Sequence, residues 1–239
     1  MQAKTSNLIS CIVPYYNDNN HVASVLEILT QVKNIAQIIC IDDGSADPST
    51  AEKIKAQFPM IEVIRREKNS GKSEAVKFAL SHVTTPYVLL FDADIINVIP
   101  SEIEHILNFI YDDPSIDLLI LKRVEPWYIR LFRWDKLLAG ERVMRTEDLR
   151  KIFLDNPPSG YQLEYATNSY MMRNHKKVYW AAYSGMNVFK SKKIGFFRGV
   201  VRDTMIHYDF VKYKGILFAI QSTLFFCRKK YENKNISIK

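Results

Sequence analysis

An open α/β sheet, mostly parallel and flanked by helices on both faces, is the fold class that this 239-residue sequence predicts. Two observations predict it. Short apolar runs alternate with segments of helical spacing through the first half, and the connections are long enough to make the strands parallel neighbours. Three of the runs also end directly in polar motifs, and sheets of this kind bind ligands at the carboxyl ends of their strands.

The elements follow in order. Leu8 to Val13 is an apolar strand that ends at Pro14. Val22 to Val32 carries apolar residues at helical spacing (Val22, Val25, Leu26, Leu29, Val32). Gln37 to Ile41 is the second strand and runs into Asp42-Asp43-Gly44-Ser45. Pro48 to Phe58 reads as a helix with Asp47 as cap and Pro48 at its first position. Ile61 to Ile64 is a third strand, Gly71 to Val83 a helix, Tyr87 to Phe91 a fourth strand, Pro100 to Tyr111 a helix and Ile116 to Leu121 a fifth strand. Beyond Leu121 the pattern changes. Glu125 to Arg150 reads mostly helical, with Trp127, Tyr128, Phe132 and Trp134 along it. Asn156 to Gly160 is a turn, Tyr161 to Arg173 a helix, Lys177 to Tyr183 a strand, and a last helix spans Thr204 to Lys230. With no repeat and no long linker, residues 1–239 read as a single domain.

Composition sets the limits. Hydrophobic residues make up 47% and charged residues 25%, an ordinary globular balance. No apolar leader precedes the first strand, and Cys11, Cys40 and Cys227 lie inside apolar segments without metal spacing. Buried thiols of a reduced, cytoplasmic compartment are the expectation. The net charge of +7 is concentrated late: residues 173–239 hold 15 lysines and arginines against 3 acidic residues. Such a basic face suits phosphates or an anionic lipid surface. The longest apolar stretch, Ile216 to Cys227, is too short to span a bilayer, which takes about twenty residues. With basic residues on both sides it is suited either to lying on the inner face of a membrane or to burial as a terminal helix. No recognised motif supports a nucleic-acid binder.

The chemistry-bearing motifs are individually ambiguous. In Phe91-Asp92-Ala93-Asp94 two carboxylates sit two apart after an apolar strand, so strand alternation aims them the same way, toward one divalent cation and a ribose. Asp-x-Asp is equally ordinary turn or cap chemistry. Asp42-Asp43 offers a carboxylate to an imide N–H such as that of uracil, but Asp-Gly-Ser is also a common turn. Asn69-Ser70-Gly71-Lys72-Ser73 opens a helix, where Gly71 permits close backbone approach and Lys72 reaches a phosphate. It is not a P-loop, since Arg66 stands where the first glycine is required. Arg142 and Arg145 fall on one face of the expected helix.

Taken in order, Ile12-Val13-Pro14-Tyr15-Tyr16-Asn17-Asp18, Ile41 to Ser45, Asn69 to Ala75 and Phe91 to Asp94 resemble family 2 glycosyltransferases of the GT-A fold. The resemblance covers roughly residues 8–110. Asp92 to Asn97, with Gly140-Glu141-Arg142 and Gly160-Tyr161-Gln162-Leu163-Glu164, is similar to the glucosyl-3-phosphoglycerate synthase branch and more loosely to polyprenyl-phosphate sugar synthases.

The resemblance implies the following roles. Residues 1–122 form a nucleotide-sugar-binding half and residues 123–239 an acceptor-side half with a basic C-terminal helix. Pro14, Tyr15, Tyr16 and Asp18 line the nucleobase and ribose pocket, with Asp42 or Asp43 at the base edge. Lys72 faces the nucleotide, Asp92 contacts ribose beside Ala93, and Asp94 takes the metal, Mn²⁺ or Mg²⁺, with Asp92 close by. Glu164 and Glu141 are the candidate catalytic carboxylates; Arg123, Trp127, Arg130 and Arg142 receive the acceptor. In the phosphoglycerate-type enzymes a histidine adds a third metal ligand. The comparable stretch here, Tyr183 to Lys190, has none, which leaves His207 and His175 as candidates.

The implied activity is metal-dependent sugar transfer from a UDP- or GDP-linked donor to an unidentified acceptor. The alternatives are a nucleotidyltransferase and a nucleotide-binding protein without turnover. The first lacks its usual Gly-rich loop, since Pro14-Tyr15-Tyr16-Asn17 stands there. Homo-oligomeric assembly stays open.

Overall fold

The computed structural model describes residues 8–18, 20–125, 134–155, 157–160, 162–187 and 215–231. Strand β1 (Ile9–Tyr15) lies between β2 (Ile35–Asp42) and β4 (Tyr87–Leu90), parallel to both, and β3 (Glu62–Arg65) adds in parallel outside β2. The carboxyl ends of β1, β2 and β4 therefore form one rim, as the motif positions require. Helices α1 (Val22–Thr30), α2 (Ser49–Gln57) and α3 (Lys72–Leu80) make the crossovers.

The pleat sorts the core. Ile9, Cys11 and Val13 of β1 pack in one apolar layer with Val22, Val25, Leu26 and Leu29 of α1 and with Ile103, Ile106, Leu107 and Ile110 of α4 (Pro100–Asp112). Ile12 points the other way, into a layer with Ala75, Val76, Ala79 and Leu80 of α3. Both faces of the central strands are buried, which is why they read as unbroken apolar runs rather than alternating ones.

The far half of the sheet departs from the expected pattern. A short helix α5 (Trp134–Leu137) and a second helix, α6 (Thr146–Asp155), flank a strand, β7 (Arg142–Arg145), inside the stretch whose sequence reads mostly helical. β7 is antiparallel to both β4 and β6 (Leu118–Lys122) and closes the gap between them. Arg-Val-Met-Arg has no strong local preference. Two flanking strands offer its backbone ladder partners on both sides, and it takes them. Arg142 and Arg145 are thus on opposite faces of a strand, not one face of a helix. Beyond β6 come β8 (Val178–Ala182) and β10 (Lys229–Lys230), both parallel, so that among the described residues the sheet order is β10-β8-β6-β7-β4-β1-β2-β3.

Helix α7 (Leu163–Arg173) packs over the β7 side of the sheet, and α8 (Ile216–Phe225) leans on it. The last helix is shorter than expected: it ends at Phe225 and gives way to β10, while the expected residues 204–214 lie outside the described set. A two-stranded ribbon, β5 (Ile95–Ile96) with β9 (Met186–Asn187), was not foreseen and sits immediately after the Asp92–Asp94 turn. No helix among the described residues is long and apolar enough to cross a membrane.

Val143 tests the reassigned strand. It is fully buried in the centre of the sheet, so Val143→Ala, which removes two methyl groups and leaves a cavity, is expected to lower unfolding free energy by about 2 kcal/mol. Denaturant unfolding measures this. A negligible change would mean that β7 does not carry the core.

Candidate functional site

Lys72 is the hub of the rim. It is the first residue of α3, and its Nζ lies 2.6 Å from Asp92 Oδ1 and 2.7 Å from Glu164 Oε1. Asp92 follows β4, and Glu164 sits in the first turn of α7. One ammonium thus joins three elements that are far apart in sequence.

The position of Lys72 is built from the backbone up. Gly71, before the helix, has φ +93°, a conformation that a side chain would strain. Its N–H donates to Asp43 Oδ2 at 2.7 Å. Asp43 also accepts from the Ser70 N–H and pairs with Arg66 Nη1 at 2.7 Å. On the other side Ser73 donates to the Gly160 carbonyl through both its N–H (3.1 Å) and its hydroxyl (2.9 Å). The Asn69–Ser73 motif is therefore a clamp between the β2 end and the turn that opens α7.

A second cation, Arg123, lies just past β6 and is almost fully buried. Its Nη1 is 3.7 Å from Asp92 Oδ2, and its Nε is 3.3 Å from Glu125 Oε1 and 3.4 Å from Glu141 Oε2. Asn187 of the β5–β9 ribbon completes this side. With its amide oriented to satisfy its neighbours, it accepts from Arg123 Nη1 (3.1 Å) and donates to Asp94 Oδ1 (3.3 Å). The strand ends at Leu90, two residues before Asp92, so alternation along β4 does not set the two aspartates. Asp92 turns to Lys72 and Arg123, and Asp94 is reached by Asn187 of the ribbon.

Charge in this cluster is unevenly shared. Burial opposes ionisation of Asp92, but Lys72 and Arg123 outweigh it and hold its carboxyl below the usual carboxylate range. Glu141 is fully buried, and burial pushes its pKa up to about 7; Arg123 offsets only part of that burial effect, and Asp92 adds a smaller repulsion. Lys72 is held protonated by Asp92 and Glu164 despite its own burial. The result is a proton-retaining carboxyl beside a committed carboxylate.

Gly140 decides how close these groups come. A Cβ on Gly140 would stand 2.2 Å from Asp92 Oδ2. Only a residue without a side chain lets the Gly140-Glu141 strand entry pass under Asp92. Arg142, next along, is fully buried beneath the cluster. It donates through Nε to the Ala139 carbonyl (3.0 Å), again to the same carbonyl through Nη2, and through Nη1 to Asn168 Oδ1 (3.2 Å) and the Glu164 carbonyl (3.4 Å). It braces the floor of the site rather than facing an acceptor.

The first rim loop is drawn to the same end. Asn17 donates its N–H to Ser45 Oγ (2.9 Å) and accepts from the Ala46 N–H (2.9 Å), locking the β1 and β2 loops together. Tyr16 is half exposed on this rim, whereas Tyr15 is buried in the core with its phenol pushed up by burial. Asp18 accepts from His21 N–H and Nδ1 at the start of α1. Pro14 pairs across to Ile41, Ala93 is buried, and Asp42 is buried and accepts from the Ser45 N–H at 2.8 Å. Asp42 and Asp43 are thus both engaged in holding loops.

Other expected residues fall elsewhere. Trp127, Arg130 and His207 lie outside the described residues. His175 is exposed beyond the C-terminal end of α7, while Glu164 sits at its N-terminal end. An eleven-residue helix, about 16 Å long, separates the two, so His175 is not a third ligand for a metal at Asp94. Among the described residues no group of three or more His, Cys, Asp or Glu side chains is arranged to hold a metal by itself. Asn187, Gly140 and Arg123's place inside the cluster were missed from the sequence. The glycine directly before Glu141 was a signal that was available; Asn187 had none, because its ribbon is only two residues long.

A family model described as glycosyl transferase family 2 matches residues 10–178, well over half of the chain, and the chain belongs to that family. Among related proteins, a teichoic acid poly(glycerol phosphate) polymerase of Staphylococcus epidermidis is 36% identical over 92 residues, covering 37% of this chain and 13% of that protein. A dolichol-phosphate mannosyltransferase of Pyrococcus furiosus is 28% identical over 168 residues, covering 64% of this chain and 45% of that one. The chain thus spans less than half the length of either. Glucosyl-3-phosphoglycerate synthase from Mycobacterium tuberculosis, solved in complex with Mn²⁺, UDP and phosphoglyceric acid, superposes with a TM-score of 0.61 at 19% identity, covering 75% of this chain and 70% of that one. That likeness bears out the GT-A fold.

Two substitutions test the cluster. Gly140→Ala is expected to push Asp92 off Lys72 and to cost about 1–3 kcal/mol of stability as an overpacked site, measured by denaturant unfolding. An unchanged midpoint would show that the Gly140–Asp92 approach is not tight. The second concerns pH. Above its ordinary value of 4.5 and up to about 7, folded Glu141 keeps a proton that the unfolded chain has released. Its contribution to stability therefore falls as pH rises through that window. Glu141→Gln removes this loss, so the variant's stability relative to the parent should climb between about pH 5 and about pH 8. A relative stability that stays flat or declines would contradict the buried-proton assignment.

Proposed function

We propose that this chain transfers a sugar from a nucleoside-diphosphate sugar, of the UDP or GDP type, to the hydroxyl of an acceptor. The observation that carries the reading is the Asp92–Lys72–Glu164 cluster on the shared rim of β1, β2 and β4 in a family 2 chain. Residues 1–122 supply the donor side and residues 123–239 the acceptor side, with Trp127 and Arg130 as the candidate acceptor-binding residues, while Arg123 belongs to the charged cluster around Asp92. Tyr16, the half-exposed aromatic of the first rim loop, is suited to cover the nucleobase.

A divalent cation, Mn²⁺ or Mg²⁺, fits the donor set. Asp94 and Asp92 offer hard oxygen ligands, and such ions commonly take one or two carboxylates and leave the remaining positions to substrate phosphates and water. Asp94 and Asp92 would hold it, and its charge would offset that of the departing diphosphate. A neighbouring fold solved with Mn²⁺ and UDP supports this reading.

The chain's own groups carry the rest. Lys72 and Arg123 are fixed cations next to the carboxylates, preorganised toward an anionic leaving group. Transfer also needs a base for the acceptor proton. Glu164 and Glu141 are the carboxylates at hand, and Glu141, with its pKa near 7, is poised to exchange a proton at neutral pH.

A thermal-shift panel of UDP, GDP and their sugar conjugates, each with and without Mn²⁺, tests the donor. One nucleoside diphosphate should raise the melting temperature in a Mn²⁺-dependent way. Asp94→Ala should abolish that dependence and turnover while leaving the ligand-free melting temperature within a few degrees. No shift with any nucleotide, or full turnover in Asp94→Ala, would overturn the proposal. Between Glu164→Gln and Glu141→Gln, the variant that loses about 100-fold or more in kcat identifies the base.

A further inference from the structure

Helix α8 is built inside out. A helix on the surface of a globular protein turns its apolar stripe to the core and its polar face to water. In α8 the buried residue is Ser222, whose hydroxyl contacts Met172 Sδ on α7 at 3.7 Å. Ile216, Leu217, Ile220 and Leu224 fall on one side at spacings of one, three and four, and they are 64%, 73%, 51% and 51% exposed. Phe225 adds a ring that is 64% exposed.

The helix is held in this orientation. Directly after it Phe226 and Cys227 are buried in the core, β10 pairs in parallel with β8, and the Tyr231 N–H donates to the Trp180 carbonyl at 2.9 Å. The Tyr231 ring packs against Phe109 with centroids 4.5 Å apart. The segment is therefore fastened along the side that carries Ser222, with Phe218, Ala219 and Thr223 half-buried beside it, and at its C-terminal end, and the side of Ile216, Leu217, Ile220 and Leu224 faces out.

Charge indicates what covers that side. Arg228, Lys229 and Lys230 follow the helix after Phe226 and Cys227 and are exposed. Lys212 and Lys214 precede it in the sequence, and no acidic residue occurs from Phe210 to Tyr231. An apolar face rimmed by cations matches an anionic lipid leaflet, in which the side chains enter the acyl boundary and the cations meet headgroups. A second copy docked face to face would set the same basic cluster against itself. We propose that α8 is a membrane-docking helix, lying in the interface of an anionic bilayer through Ile216, Leu217, Ile220, Leu224 and Phe225 and held there by Arg228, Lys229 and Lys230.

The test is co-sedimentation of the full chain with phosphatidylcholine vesicles containing about one third phosphatidylserine, and with pure phosphatidylcholine vesicles, at low and at high salt. The expected result is binding to the anionic vesicles that weakens about tenfold or more when phosphatidylserine is left out or salt is raised. Leu217→Glu with Leu224→Glu should lose that binding at an unchanged melting temperature. Arg228→Glu with Lys229→Glu and Lys230→Glu should lose most of it with the apolar face intact. Three results would overturn the proposal. One is a parent chain that ignores anionic vesicles at low salt. Another is a Leu217→Glu, Leu224→Glu variant that binds like the parent. The third is a parent dimer that this double variant dissociates while neither protein binds vesicles, which would make the face a self-association surface.

Discussion

The rest of the site depends on one ammonium group held between two carboxylates. Lys72 Nζ is within 2.7 Å of both Asp92 and Glu164. Those contacts join the end of β4, the start of α3 and the start of α7, segments that meet only because the sheet brings their ends to one rim. Neither carboxylate would be tolerated so deeply without a partner, and charge pairs of this kind are costly to break from one side. The supporting backbone reflects that constraint. Gly71 adopts a conformation reserved for glycine so that its N–H reaches Asp43, Ser73 fastens to Gly160, and Gly140 leaves room where a methyl group would strike Asp92.

Around this link the carboxylates outnumber the cations. Asp92, Asp94, Glu125, Glu141 and Glu164 face Lys72 and Arg123, while Arg142 lies beneath and is spent on backbone carbonyls and Asn168. Burial of Glu141 in this cluster raises its pKa to about 7, so one of these carboxyls holds its proton more readily than the others. An acidic pocket with its cations fixed in place favours ligands that bring positive charge together with phosphate, the combination proposed here as a divalent ion and a nucleoside diphosphate. The same arrangement makes Glu141 responsive to whatever changes the charge on Asp92, since the two repel at close range.

The molecule is also electrostatically divided. The acidic cluster belongs to the rim of the sheet, whereas the late basic excess includes Arg228, Lys229 and Lys230, which are exposed and follow α8 in the sequence. Helix α8 is joined to the body through α7, whose first turn carries Glu164, and through β10 on β8. The proposed lipid contact is thus made by an element anchored to the same framework that positions the site.

Much of the first half was legible in the residues themselves. Strands β1, β2 and β4 and helices α1 to α4 announce themselves because both faces of these central strands are buried and the helices carry apolar residues at helical spacing, so local pattern and tertiary role agree. The shared rim of the Pro14, Asp42 and Asp92 motifs followed from parallel pairing alone. What tertiary structure decided lies where local preference is weak or the partner is distant. Arg142–Arg145 has no strand signature and became a central strand because β4 and β6 left a gap with unpaired backbone on both sides. Asn187 reached Asp94 only through a two-residue ribbon. Asp42 and Asp43, read as ligand groups, are taken up in loop hydrogen bonds, and Arg142, read as an acceptor group, is buried under the site. Residue type and order determined the fold class and most of the charged groups that meet at the rim. Which carboxylate faces which cation was determined by the packing of α3, α7 and β7, because side-chain direction at a strand end is set by the turn and neighbours beyond it and not by the period of the strand.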